Sequence, residues 1–144
     1  PPMKVSARNT FEGTVGSVIN GAVNTEVGID LPSGDKLVAV VTLESARSLQ
    51  LAPGKPVVAL VKAPWVMLMT DGKGIRLSAR NCLSGTVKTV KPGAVNAEVV
   101  VALPGGTEVV AIVTNDAVAE LGLAPGVATT AVIKASNVIL GVPA

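Results

Sequence analysis

From Val23 to Leu31 the chain alternates with a period of two, Val23, Thr25, Val27, Ile29 and Leu31 on one side and polar or small residues on the other. That period predicts a half-buried β-strand. The preceding segment, Phe11 to Ile19, is a second strand, and Asn20-Gly21 between the two is a turn signal. Pro32-Ser33-Gly34-Asp35 turns the chain into a third strand, Lys36 to Val41. Thr42 then suits a helix N-cap, with Glu44 in the first turn, and the helix ends near Leu51 ahead of Pro53-Gly54. Strands follow at Pro56 to Lys62 and Trp65 to Thr70.

The whole pattern then repeats. Residues 4–70 align without a gap on residues 76–142, an offset of 72, with 31 identities in 67 positions. Ser6-Ala7-Arg8-Asn9 returns as Ser78-Ala79-Arg80-Asn81, Gly21-Ala22-Val23-Asn24 as Gly93-Ala94-Val95-Asn96, and Lys62-Ala63 as Lys134-Ala135. Thr114 and Asp116 stand where Thr42 and Glu44 stand. The chain is therefore a duplicated domain, residues 3–70 and 76–144, joined by the short polar linker 71–75.

Three strands, a short helix and two further strands is the order of an OB-type barrel. The expected fold is all-β: two tandem OB-like five-stranded barrels, each with one short helix between strands 3 and 4. The third and fourth strands carry apolar residues on both faces, Leu37 to Val41 and Val57 to Val61. A barrel this small has one interior, so the outer face needs another cover, and a homo-oligomer is expected.

Composition narrows the chemistry. Hydrophobic residues make up 49% and aromatics only 1%, so the core is built from Val, Leu, Ile and Ala. A net charge of +2 argues for neither a nucleic-acid nor a membrane partner. The longest apolar runs are strand-sized, far short of the roughly 20 residues of a membrane helix. Cys82 is the single cysteine and aligns with Thr10, so it is read as a packing residue in a reduced, cytoplasmic protein. Histidine is absent, which removes Ser-His and Cys-His pairs, an imidazole base and His-based metal sites. No catalytic residue, cofactor or direct metal ligand is expected. The repeated Glu26 and Glu98 lie opposite the core valines and read as solvated or interface-paired.

Two ligand classes stay open on residue types. Single-stranded nucleic acid is the usual ligand of an OB barrel, but stacking platforms need aromatics, and Trp65 is replaced by Asn137 in the second repeat. A small oxyanion is the other. The repeated set is one of donors, Ser6, Arg8, Asn9 and Lys62 with Ser78, Arg80, Asn81 and Lys134. Small neighbours Ala7, Ala63, Ala79 and Ala135, and the uncluttered Gly21 and Gly93 turns, leave backbone N–H groups accessible. Convergent amides, hydroxyls and a cation are what an acceptor-only dianion requires. The plainer reading is that these segments are structural turns retained because the copies share a fold.

The ordered set found twice, "SARN", "GAVN-x-E-V", a threonine after strand three and "KA" before an apolar strand, resembles the molbindins, the small molybdate-binding Mop domains, in their tandem cytoplasmic form. That resemblance implies a homotrimer with a pseudo-hexameric arrangement of domains. It also implies storage of molybdate, and of tungstate, in pockets at subunit interfaces. One kind of site would set Ser6-Ala7-Arg8 against Lys62-Ala63, and Ser78-Ala79-Arg80 against Lys134-Ala135-Ser136, the segments coming from different units. The other would gather the Gly21–Asn24 and Gly93–Asn96 turns about a threefold axis, with Thr42 and Thr114 as further contributors that helix capping explains equally well. Pro64 matches Ser136 and lacks both a hydroxyl and a backbone N–H, so the Lys62 and Lys134 sites are expected to differ. A regulator sensing molybdate would need an attached DNA-binding or ATPase domain, which is not expected here.

Overall fold

The structure, a computed structural model, describes residues 4–72 and 74–144. The expected start of the first repeat at Met3 and Lys73 of the linker lie outside the described residues. The first repeat holds β1 (Asn9–Asn20), β2 (Asn24–Asp30), β3 (Lys36–Thr42), α1 (Leu43–Ser48), β4 (Pro56–Val61) and β5 (Met67–Met69). The second holds β6 (Asn81–Pro92), β7 (Asn96–Ala102), β8 (Glu108–Thr114), α2 (Asn115–Leu121), β9 (Ala128–Ile133) and β10 (Ile139–Gly141). A 3₁₀ turn precedes each last strand, Ala63–Trp65 and Ala135–Asn137, so Trp65 belongs to a turn and not to the strand predicted there.

These strands form two antiparallel five-stranded sheets, ordered β10-β4-β1-β2-β3 and β5-β9-β6-β7-β8. The outer strands of each sheet approach one another, β10 toward β3 and β5 toward β8, so each sheet curls into an OB-like half-barrel. The alternation seen in sequence is the burial pattern of β2: Thr25, Val27 and Ile29 face inward.

The last strands are exchanged. Met67 to Met69 pair with Val132 to Thr130 of the second repeat, and Ile139 to Gly141 pair with Leu60 to Val58 of the first. The sequence reading had each fifth strand completing its own repeat. The difference arises at the 3₁₀ turns, which pack across the molecule, Ala63–Trp65 on β8 and Ala135–Asn137 on β3. Because the two repeats share one pattern, each exchanged strand meets an edge that suits it, and the edges of β4 and β9 are paired. The apolar outer positions Val38, Val40, Val58 and Leu60 are half-buried by this arrangement. The cores fuse accordingly: Val27, Ile29, Leu37 and Ala59 belong to one apolar cluster with Val99, Val101, Val109 and Ile133.

A second tie lies between the β2–β3 and β7–β8 turns. Asp35 accepts hydrogen bonds from the Gly105 N–H (3.1 Å) and the Thr107 N–H (3.2 Å), and Ser33 Oγ lies 2.6 Å from Thr107 Oγ1. The approach is close enough that a Cβ on Gly105 would stand 2.5 Å from the Ser33 carbonyl oxygen. Glycine is needed there.

Candidate functional site

The two "SARN" segments enter β1 and β6, and each ends on an asparagine buried to 1% exposure. Asn9 Nδ2 donates to the Val110 carbonyl (2.8 Å) and its Oδ1 accepts from the Val110 N–H (2.7 Å). Asn81 does the same to Val38, at 2.7 and 2.8 Å. The amide thus imitates one residue of a neighbouring strand, satisfying a backbone pair on the outer edge strand of the other repeat. Asn9 and Asn81 therefore spend their side chains on the fold.

The arginines beside them also reach across. Arg8 grips Glu98 with both arms, Nη1 to Oε2 at 2.7 Å and Nη2 to Oε1 at 3.1 Å. Arg80 Nη2 lies 2.5 Å from Glu26 Oε1. The repeated glutamates form ion pairs with the repeated arginines, so the interface-paired reading of Glu26 and Glu98 is the one realised. Two members of the repeated donor set, Arg8 and Arg80, are thereby matched by carboxylates that repeat with them. These pairs are more than half exposed on the arginine side. Each contributes on the order of 0–1 kcal/mol, and orientation more than stability.

What remains for an anion is the small residues and the lysines. In the first repeat Ser6, Ala7 and Lys62 line a cavity of about 110 Å³. Its other walls are Val5, Leu60 and Trp65 with Ile139 of the exchanged strand. Within one chain, then, the serine and lysine segments meet in the same repeat, held together because Asn9 pairs with Val61 in the β1–β4 ladder. A pairing between different units would need a second chain. The Lys62 ammonium stands over the Trp65 ring, 5.3 Å from its centroid. Ala63 is buried beneath the turn, as is Ala135.

In the second repeat Ser78, Lys134 and Ser136 are exposed and Ala79 half-buried. Ser136 opens onto a cleft of about 380 Å³ that it shares with Asn24, Thr42 and Ser45 of the first repeat. The exchange thus carries a hydroxyl of the Lys134 segment to the start of β2 and the start of α1, joining residues the sequence had assigned to two different kinds of site. Thr42 is engaged as the N-cap, accepting from Ser45 N–H (3.0 Å) and donating to Ser45 Oγ (2.8 Å). Thr114 caps α2 through Ala117 N–H at 3.1 Å.

The Gly21–Asn24 and Gly93–Asn96 turns project fully into solvent. Gly21 N–H closes on the Asn24 carbonyl (2.8 Å) and Gly93 N–H on that of Asn96 (2.7 Å). A Cβ on either glycine would stand 2.8 or 2.9 Å from that same oxygen. Val23 and Val95 at the tips are 72% and 70% exposed. The turns differ in one respect: Asn115, where the first repeat has Leu43, donates from Nδ2 to the Gly93 carbonyl at 3.0 Å.

Among the described residues no group of three or more Asp, Glu, Cys or His side chains could hold a metal ion. No helix among them is long and apolar enough to cross a membrane. The acidity of Asp35 departs clearly from the ordinary carboxylate value. Partial burial pushes its pKa up, but hydrogen bonds from Thr107, Gly105 and Ser33 outweigh that and hold it below 3.8. It lies in the turn clasp, apart from the lysine segments.

Known proteins resemble this chain in sequence over nearly its whole length. Residues 5–68 and 77–140 each match the TOBE domain. The molybdenum transport protein ModE of Azotobacter vinelandii is 49% identical over 140 residues, 97% of this chain and 52% of its own length. The molybdenum-pterin-binding protein MopA of Rhodobacter capsulatus is 46% identical over 141 residues, 98% of this chain and 53% of its own. The chain thus spans about half the length of the curated relatives it matches. A solved structure of the cytoplasmic molybdate-binding protein ModG with molybdate bound is 72% identical, with a TM-score of 0.94. That match covers 98% of this chain and 100% of the other.

Proposed function

We propose that this chain, which belongs to the TOBE-domain family and carries the domain in tandem, binds molybdate reversibly and buffers it in the cytoplasm. Tungstate, an oxyanion of the same shape and charge, is the expected second ligand. The observation that carries this reading is the 72% identity, over essentially both full lengths, to ModG with molybdate bound. The chemistry agrees with it. A tetrahedral dianion only accepts hydrogen bonds, and the site residues are serine hydroxyls, backbone amides beside alanine and lysine ammonium groups. The role is one of binding and not of catalysis, since holding and releasing a dianion needs no proton transfer.

In this reading Ser6, Ala7, Lys62 and Ala63 form one kind of site, and Ser78, Ala79, Lys134, Ala135 and Ser136 its counterpart. Arg8 and Arg80 act through their glutamates, and Asn9 and Asn81 act by fixing the strand edges. The Gly21–Asn24 and Gly93–Asn96 turns form the second kind where chains meet. The assembly is a homotrimer in which six domains stand as a pseudo-hexamer, supported by the exposed Val23 and Val95 and by the half-buried outer faces of β3 and β4. Residues 3–70 and 76–144 are the two domains and 71–75 their linker, with the last strands exchanged.

Isothermal titration with molybdate, against sulfate as control, tests the proposal. Saturable molybdate heat with no sulfate heat is the expected outcome. The absence of molybdate heat, together with no molybdenum in the purified protein, would overturn it.

A further inference from the structure

The two lysine sites occupy equivalent places in the two repeats, yet their surroundings differ at the two positions after the alanine. Lys62-Ala63 is followed by Pro64-Trp65, and Lys134-Ala135 by Ser136-Asn137. Both segments adopt the same turn: the lysines have φ, ψ of −67°, 133° and −66°, 127°. Differences in ligand affinity must then come from side chains and not from the path of the backbone. In the first repeat the turn brings an indole under the ammonium, 5.3 Å from the ring centroid. In the second the residue in that place is an asparagine.

We propose that Trp65 is a positioning residue that sets the Lys62 site to a lower oxyanion affinity than the Lys134 site, giving one chain two binding thresholds. The inference rests on the molybdate-binding reading above. Three effects act in the same direction. The indole face carries the negative end of the ring quadrupole, so it holds the ammonium by an attraction that an anion must compete with. The same face repels an anion that approaches Lys62 from the ring side. Pro64 removes one N–H and offers no hydroxyl, where Ser136 keeps both. The cavity walls add to this, since Val5, Leu60 and Ile139 offer no donor to replace the water a dianion loses on entry. The Lys134 segment instead opens through Ser136 onto a cleft furnished with the hydroxyls of Thr42 and Ser45. A buffer built this way fills its second-repeat sites first and takes up further oxyanion in the first-repeat sites as concentration rises.

Trp65 is the only tryptophan in the chain, so indole fluorescence reports on the Lys62 site alone. The test is a fluorescence titration of the full-length protein with molybdate, run beside calorimetry, with sulfate as control. The indole response is expected at higher molybdate concentration than the calorimetric phase that Lys134→Ala removes. Lys62→Ala should abolish the indole response and leave that tighter phase. Trp65→Asn, which installs the residue found at position 137, should tighten the weaker calorimetric phase about two- to fivefold, the range a partly exposed cation–π contact accounts for. Trp65→Phe, with a weaker ring, should fall between. Calorimetric saturation without any change in indole emission, or a weaker phase loosened by Trp65→Asn, would overturn the proposal while leaving molybdate binding intact. No molybdate heat in the unaltered protein would overturn the binding reading, and this inference with it.

Discussion

Asn9 and Asn81 are each a single residue doing the work of a strand. An amide side chain has the same donor and acceptor as a peptide group, so it can close both bonds of an edge residue where no further strand is available. The geometry is tight in both copies, from 2.7 to 2.8 Å, and the side chains are shut off from water. Replacing Asn9 by alanine leaves the Val110 N–H and carbonyl without their partners, a loss of about 1–3 kcal/mol. Chemical denaturation should register a lower midpoint for Asn9→Ala, and a similar one for Asn81→Ala. Arg8→Ala should shift it far less, because a mostly exposed ion pair is screened by water and salt. A destabilisation by Arg8→Ala as large as that of Asn9→Ala would contradict this division of labour. The pairing of Arg8 with Glu98 was within reach of the sequence, since both residues recur at the same offset. The role of Asn9 was not, because nothing in its neighbours tells a ligand donor from a strand surrogate.

At the scale of elements, turns as well as strands tie the two repeats together. The clasp between the β2–β3 and β7–β8 turns depends on ionised Asp35. Its pKa lies below 3.8 in the folded protein, so the carboxylate binds its proton less readily there than in the unfolded chain. The stabilisation is thus fully present above about pH 4 and is lost as pH falls through the folded value. Thermal midpoints measured from pH 7 down to pH 2 should fall more steeply for the native chain than for Asp35→Asn. Parallel curves would show that the carboxylate contributes nothing specific. The clasp is asymmetric, for Asp35 aligns with Thr107 and Ser33 with Gly105, so the internal repeat could not reveal that the two unlike turns meet. The strands themselves were legible, since β2 and β3 follow period-two alternation or continuous apolar runs, and the helix cap at Thr42 follows from its side chain. The destination of β5 and β10 was not legible. A three-residue strand fits either repeat's edge equally well when the two repeats are copies, and only the direction of the 3₁₀ turn decides between them.

For the whole molecule, exchange and shared core make the two repeats one thermodynamic unit. Neither sheet is complete without a strand from the other, and the core cluster runs through both. Unfolding one repeat strips β10 from β4 or β5 from β9, exposing Leu140 or Leu68 along with the partner strand. A molecule of 144 residues assembled this way should melt in one cooperative calorimetric transition and not as two small domains. Oxyanion binding then acts on that single transition. A ligand held only by the folded state stabilises it by about 2.7 kcal/mol per site at a hundredfold excess over Kd. For a chain of this size each kcal/mol raises the melting temperature by roughly 2–4 °C. Differential scanning calorimetry should therefore show one peak that moves up as a whole with molybdate and stays in place with sulfate. Two peaks, of which molybdate moved only one, would mean that the repeats fold independently despite the exchanged strands. A single peak insensitive to molybdate would leave the cooperative fold standing and remove the ligand from it.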